Sequence, residues 1–493
     1  MQVTHEERVR GVADQLHGRP AGAKVTIRKG TPSHSIRDTG YKTGLHAVDV
    51  SALDQILAID TARQVAVVEG QVTMGQLVAA TLPQGWLPAV VPEFRQFTVA
   101  GLINGEGIQS SCHRHGIFTN TLASVELLMA DGRTLTASPE HHAEVFAALP
   151  ESLGTLGIVT AASLKLVAAR PWVTCTYRRF DSRPAYVAAF GAALGKSDFH
   201  EGFIFGPNCY VLATAQFSDR DQALPAFDPG QEGGEYFYQH VLAAAVARVE
   251  TREQIETSQY MRRLERGLWW MLECHADFPL LANTAWGRRQ MDQAAQAAYS
   301  KTGFSSQAMT AAERDRCLVS QDMGVVLERL ETALEWVQSR LDVYPLWNCA
   351  VRQAEPERRR LGTEYLVDVG IYGEPMAPGF RRIRDLRELQ RSVPAPSLWG
   401  VSYLSWEEIR AVNPKRIDRY ERVRTLVDAD AAFLHLRDKV AWIDPAEADP
   451  GKIRAWRFYR SFGRRWYLNP VVYLLMPVVF LSKLIWRRPA RHR

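Results

Sequence analysis

Disulfide chemistry has little to work with in this chain. Its 493 residues hold six cysteines, Cys112, Cys175, Cys209, Cys274, Cys317 and Cys349, widely scattered and without a C-x-x-C pair. No histidine stands at zinc-ligand spacing from them, so a disulfide framework and a zinc knuckle are both excluded and no metal site is expected. The pattern G-x-x-x-x-G-K-[ST] does not occur, which removes a P-loop nucleotide site. The N-terminus, MQVTHEERVR, has no apolar h-region, so the expectation is no signal peptide and a reducing, cytosolic setting. Repeats and low-complexity stretches are missing too. Disorder is excluded by composition, with 46% hydrophobic and 23% charged residues. Acidic residues are missing from one place: Gly451–Arg493 carries eleven Lys/Arg and no Asp/Glu, so the net charge of +5 is a basic tail on a body of −6. Such a body argues against a nucleic-acid partner.

What is present reads as an α+β protein. Short β-like runs occupy Lys24–Arg28, Leu45–Val50, Gln64–Glu69, Leu122–Met129 and Gly157–Leu166, separated by turns such as Lys29-Gly30 and Asp131-Gly132. One helical stretch lies near Thr73–Ala80. Longer helical readings follow at Val241–Met271 and Met309–Leu341, then strand-like runs at Val343–Val351 and Tyr365–Tyr372. Boundaries fall near Arg170-Pro171 and Trp442. The expected domains are therefore 1–170, 171–442 (its end returning to the first) and a tail, 443–493.

In that tail Lys452–Trp466 alternates arginine with tryptophan, phenylalanine and tyrosine, and Trp466–Ser482 gives 17 residues without a charge. A spanning helix needs about 20 apolar residues. Pro470 is tolerable in a first turn, whereas Pro477 would kink the middle. Arginines and aromatics at the edges suit lipid headgroups. The expectation is a protein held at the cytoplasmic side of a membrane through residues 451–486, spanning or lying in plane.

Chemistry concentrates in Pro92–Ser111, PEFRQFTVAGLINGEGIQSS. Three glycines in seven residues followed by two serines let backbone N–H groups approach a phosphate. The run neither follows a strand nor opens a helix, so it is not a dinucleotide fingerprint. Downstream, in order, come His113-Arg114-His115-Gly116, Val125–Gly132 (VELLMADG) and Gly154–Val159 (GTLGIV). With the glycine run these blocks resemble the FAD-binding domain of the vanillyl-alcohol oxidase/p-cresol methylhydroxylase superfamily. The resemblance implies two α+β subdomains sandwiching the ADP part of FAD, backbone amides on the pyrophosphate, and an α+β cap over the flavin.

Within that superfamily the chain is similar to the Delta-24 sterol reductase family. The likeness is carried by Val68–Phe94 through Ser111-Cys112-His113, by Val319–Met323 (VSQDM), Val343–Trp347 (VYPLW) and Glu364–Pro375 (EYLVDVGIYGEP), and it extends from Val25 to Val440. It departs at Ala100, where the family usually has the first of two glycines, and at Asn104-Gly105-Glu106, a more polar triplet. The family's membrane segment is also N-terminal, not C-terminal. By this resemblance Thr98, Val99, Ala100, Gly101, Leu102, Ile103, Asn104, Gly105, Gly107, Ile108, Ser110, Ser111, His113, Gly157 and Ile158 would line FAD. Arg37, with Arg28, Lys29 and Lys42, would form the first cofactor loop.

The implied reaction is reduction of an isolated lipid C=C bond, most readily the Delta-24 bond of a sterol, with NADPH as hydride source. Methylene-branched or unsaturated acyl lipids, or oxidation of an alcohol, stay open as alternatives. An isolated alkene has no carbonyl to polarise it. A proton must go to the less substituted carbon while hydride reaches the other, so a general acid in a dry pocket is required. On a strand, Glu364, Asp368 and Tyr372 share one face with Leu366 and Gly370, and two carboxyls with a phenol could keep one proton bound. Asp322 competes for the same role. Trp269, Trp270, Trp347 and Tyr344 are either pocket walls or plain core.

Overall fold

The computed structural model describes residues 3–30, 42–271, 283–302, 319–353, 362–374 and 404–440, together with Gly451 and a few positions between 387 and 396. Two sheets organise these residues. β1 (Val25–Arg28) and β2 (His46–Asp49) form a small parallel pair beside the first sheet. The first sheet runs in the order β3 (Ile56–Asp60), β4 (Val65–Glu69), β8 (Ile158–Ala168), β6 (Leu122–Leu128), β7 (Thr134–Ala137), all antiparallel, with β5 (Trp86–Pro88) on the far end of β8. β8 is central and covered on both faces, which is why its first five residues are uniformly buried and do not alternate.

Past Ala168 the chain leaves this sheet and builds a second one. It is wholly antiparallel, with β9 (Trp172–Phe180), β10 (Phe199–Gly206), β11 (Cys209–Ser218), β12 (Glu250–Glu256), β13 (Val319–Val326), β14 (Leu346–Arg352), β15 (Tyr365–Gly373) and β16 (Ala395–Pro396) in the order β12-β9-β11-β10-β14-β15-β13-β16. Alternation along the strands sorts its side chains. Leu346, Ala350, Val367, Val369 and Ile371 join a core with residues of the helices Arg183–Ala193 and Leu330–Arg340. Their neighbours Trp347, Cys349, Val351 and Tyr372 join the core of the first sheet. The second sheet is thus buried on both faces at its centre, and any polar group on the second of these faces points at the first body.

The chain then returns. The helix Pro414–Val427 lies on the first body, with Tyr420 hydroxyl and Thr155 Oγ1 2.9 Å apart and Arg416 ion-paired to Glu151. Val25 N–H donates to Ala432 O (2.9 Å) beside a bridge from Val25 to Phe433. At the other end the helix His5–His17 is closed by a capping box from Thr4 and Glu7 and buries Val9, Val12, Ala13 and Leu16 in the same small core as Phe433.

Three expectations need correcting. Val241–Met271 is not one helical stretch: a helix, Phe237–Ala247, gives way to β12. That strand lies at the sheet edge, where polar residues are tolerated, and its sequence ETREQIE imitates an amphipathic helix. Likewise Val319–Val326, within the second helical reading, is the strand β13, held by pairing with β15. Finally, the glycine run does open a helix, Val99–Gly105, because Thr98 caps it by accepting from Gly101 N–H at 3.2 Å. Among the described residues no helix is long and apolar enough to cross a membrane; the basic tail lies outside them.

Candidate active site

Val99–Gly105 is anchored from both sides. Ala100 N–H donates to Gly70 O (2.8 Å), and Gly70 is what makes Ala100 tolerable. A Cβ on residue 70 would stand 3.2 Å from the Ala100 methyl and 2.2 Å from Val159 O, so the bare glycine leaves that room to Ala100. Asn104 Nδ2 donates to Ala100 O (2.8 Å), while its Oδ1 accepts from Ser152 Oγ (3.0 Å) and its carbonyl from Leu153 N–H (3.0 Å). The polar triplet is therefore a tie to the turn Glu151–Gly154, where Glu151, Leu153 and Gly154 all have left-handed φ. Gly157 and Ile158 follow at the start of β8. Gly107 and Ile108 continue beyond the helix, past Glu106 with φ 59°.

Beside this turn three lysines gather. Lys439 donates to Leu153 O (2.8 Å). Burial and the nearby Lys42 lower Lys29 to about 8 and Lys439 to about 7, and burial lowers Lys42 as well. Cations crowded in this way match a diphosphate. The Asn104 turn, the short helix and the lysines thus fit the ADP half of FAD. Arg28 is engaged with Asp49 at 2.8 Å, and Arg37 lies outside the described residues.

Ser110 and Ser111 turn their hydroxyls to protein partners: Ser110 Oγ accepts from Arg263 Nη2 (3.0 Å) and Ser111 Oγ donates to Ala89 O (2.9 Å). His113 faces the cap, where its Nδ1 accepts from Gly195 N–H at 3.1 Å and its ring lies 5.4 Å from that of His200. Desolvation lowers the two imidazoles to about 4 and about 3, so both are neutral.

The register of the second sheet gathers the carboxyls. Asp322 stands opposite Gly370, and Gly324 opposite Asp368, so Asp322, Asp368 and Tyr372 share the face that looks at the first body. Gly370 between them has no side chain, and the Tyr372 ring fills the space: a Cβ there would lie 3.0 Å from Tyr372 Cε2. The Tyr372 hydroxyl donates to Asp322 Oδ1. Asp322 is 0% exposed and Asp368 5%. Burial raises both carboxyls and the phenol, and the neighbouring Asp322 raises Asp368 further, an arrangement that retains a proton on the pair at neutral pH.

Glu364 does not join them. It precedes β15, pairs with Arg352 at 2.9 Å, and both side chains are about two-fifths exposed (42% and 40%). The parity expected from the sequence is right, but this end of the strand reaches solvent. Tyr344 packs on the helix-covered face, away from the aspartates. Trp269, Trp270 and Trp347 are buried, and Trp270 Nε1 donates to Tyr372 O at 2.7 Å.

Four groups that sequence reasoning missed complete the site. Glu201 on β10 accepts from Arg263 Nη2 (2.6 Å) and Nε (3.1 Å), and from Trp347 Nε1 (2.9 Å). Arg263 also donates to Gln109 Oε1 (3.2 Å). Gln109 Nε2 donates to Glu93 Oε2 and Trp269 Nε1 to Glu93 Oε1, both at 3.1 Å. A buried polar ring thus crosses the seam between the two sheets. Burial raises Glu93 to about 7, against the pull of the Trp269 N–H and the Arg263 charge.

Comparison with known proteins agrees with this geometry. A family model described as FAD binding domain matches residues 1–138. The Delta(24)-sterol reductase of Homo sapiens is 28% identical over 455 residues, 88% of this chain and 86% of that protein. The Delta(24)-sterol reductase of Pisum sativum is 30% identical over 419 residues, 76% of this chain and 72% of its own. A decaprenylphosphoryl-beta-D-ribose oxidase of Mycolicibacterium smegmatis is 34% identical over 149 residues, 29% of this chain and 32% of that protein. The oxidase shares a part of the chain, whereas the reductases share both sheets and the return between them; the chain belongs to the Delta(24)-sterol reductase family.

Proposed function

We propose that this protein reduces the Delta-24 double bond of a sterol side chain, with NADPH as the reductant and the Asp322–Asp368 pair as the source of the proton. The observation that carries this reading is the pair itself: two neighbouring carboxyls, sealed from water and on the face of the cap sheet that looks at the FAD-binding body. FAD, when bound, supplies hydride chemistry to one carbon of the alkene. The chain's own residues supply the rest. Sharing a proton keeps one of the two aspartates a carboxylic acid at neutral pH, ready for the less substituted carbon. Tyr372 orients Asp322 by donating to Oδ1. Trp269, Trp270 and Trp347 keep water out, so that charge developing on the alkene is not quenched by solvent. Lys29, Lys42 and Lys439 would hold the diphosphate, and Asn104 the turn beside it.

The test uses the purified full chain with FAD in mild detergent. NADPH bleaches the flavin and desmosterol recolours it. In Asp368→Asn and in Asp322→Asn, FAD content and bleaching persist while recolouring slows by at least about 100-fold. Unchanged recolouring in both variants removes the pair from the acid role. Recolouring by a methylene-branched acyl lipid, and not by desmosterol, moves the substrate to acyl chains.

The tail from Gly451 onward is the membrane contact in this reading, at the cytoplasmic face. What supports it is its eleven cations, its interleaved aromatics and its 17-residue uncharged run. A lipid as apolar as a sterol is best collected from a membrane surface.

A further inference from the structure

Outside the candidate active site, the first sheet carries a second cluster of charge. Glu69 on β4 and Glu126 on β6 both stand opposite Ala161 on β8, so two carboxylates share one row with only a methyl between them. Like charges in such a row repel unless a cation lies between them. His5, the first residue of the N-terminal helix, spans the row. Its Nδ1 lies 2.6 Å from Glu69 Oε1 and its Nε2 3.1 Å from Glu126 Oε1. Ionised carboxylates only accept, so both ring nitrogens must donate, and a ring with two N–H groups is an imidazolium. Arg8, one helical turn on, donates from Nε to the same Glu69 oxygen (2.9 Å). Glu69, Glu126, Arg8 and the exposed Glu6 are thus the titratable or charged groups that face His5.

The row is tied in turn to the backbone that seats the cofactor helix. Gln55 N–H donates to Glu69 Oε2 (2.8 Å), and Thr160 Oγ1 donates to Glu126 Oε1 (2.5 Å). Gly70 follows Glu69 directly. Its N–H donates to Thr160 O (2.9 Å), and its carbonyl accepts from Ala100 N–H (2.8 Å). Two residues later Val72 O accepts from Val99 N–H (2.9 Å). Val99 and Ala100 open the helix assigned to FAD, and the first amides of a helix have no partner within it. The stretch 70–72 therefore supplies their acceptors, and the His5 bridge holds the residue from which that stretch departs.

We propose that His5 is a positioning residue for FAD: by bridging Glu69 and Glu126 it fixes the Gly70 carbonyl under Val99–Gly105, so that cofactor retention depends on its proton. It acts through Glu69 and Gly70. Burial alone would lower the His5 pKa, but the bonds to the two carboxylates outweigh it and the net direction is up. The bridge is therefore complete below 6.5, the ordinary imidazole value, and is lost as pH rises through the raised one.

The experiment measures the Kd of FAD from the full-length holoenzyme by dilution, following the return of flavin fluorescence, across a pH series running upward from 6.5. At the low end His5→Gln, which can donate to only one carboxylate at a time through a neutral amide, is expected to weaken FAD roughly ten-fold, about the worth of one charge-assisted hydrogen bond. As pH rises, wild type weakens and the two proteins converge. His5→Arg keeps a cation at every pH, so it should bind FAD nearly as wild type does at the low end and hold it better at the high end. Lys29 and Lys439 lose charge over the same range in all three proteins, so the deciding quantity is the difference between profiles. A His5→Gln Kd equal to that of wild type at the low end overturns the proposal, whatever happens to thermal stability, and leaves His5 a structural contact. Parallel profiles for wild type and His5→Arg overturn it too. No sterol enters the assay, so its outcome is independent of the substrate reading.

Discussion

Removing one partner of the Arg263–Glu201 pair is the sharpest structural perturbation available. The two side chains are 1% and 2% exposed, and the closest N–O distance is 2.6 Å. Arg263→Met leaves the Trp347 indole N–H as the remaining partner of Glu201 among the described residues, and deprives Gln109 Oε1 and Ser110 Oγ of a donor. It also takes a cation from the Tyr260 ring, 4.1 Å away. An isolated buried charge of this kind costs about 3–5 kcal/mol, most of it desolvation that is no longer offset. Glu201→Gln strands the guanidinium instead and costs a similar amount. Together the two substitutions remove both charges, so the double variant should lie well above the sum of the singles, with a coupling of about 3 kcal/mol. Urea unfolding checks this when followed separately by flavin release and by tryptophan emission, since both partners lie in the second body and reach the first only through Gln109 and Ser110, so the two bodies can unfold in separate transitions. Single losses below about 1 kcal/mol, or strict additivity in the double variant, would refute the claim that this ion pair is sealed and holds the seam closed.

Two further outcomes follow from details of the cofactor body and the tail. Gly70→Ala drives a Cβ to 2.2 Å from Val159 O, and backbone cannot yield as a flexible side chain would, so FAD content and thermal stability should both collapse; Ala100→Gly, by contrast, should cost no more than about 1 kcal/mol in helix propensity. Deleting residues 451–493 should release the protein from anionic vesicles while leaving its flavin spectrum intact, and continued sedimentation with the vesicles would put the membrane contact elsewhere.

Much of the first sheet was legible because its strands are β-branched runs bounded by turn residues, as at Val65–Glu69 and Ile158–Leu166. The helix Val99–Gly105 was not, since Gly101 and Gly105 are poor helix formers and it forms through the Thr98 cap and the bond from Ala100 to Gly70. At the acid site, period-two spacing placed Asp368 and Tyr372 on one face, but nothing local could say that Asp322 stands across from Gly370; only the β13–β15 register does. Glu364 obeyed the same parity and still fell outside, because parity does not report where a strand emerges into solvent. Glu93, Glu201 and Arg263 each look like an isolated charge in their own stretch. Their meaning appears once residues 93, 109, 201 and 263 meet across the seam.

The return of the chain onto its own beginning also has a consequence for synthesis. Val25 is bonded to Ala432 and bridged to Phe433, and Val9, Val12, Leu16 and Phe433 share one small core. Ribosomes add about 5–20 residues per second, so roughly 20–80 seconds separate the emergence of Val25 from that of Phe433. Throughout that interval the nascent N-terminal helix and β1 have an apolar flank that no part of the emerged polypeptide can cover. A message truncated or stalled anywhere before codon 432 would therefore yield a polypeptide with its cofactor body unsealed, a natural client for chaperones and a target for proteolysis, whatever the state of the second sheet.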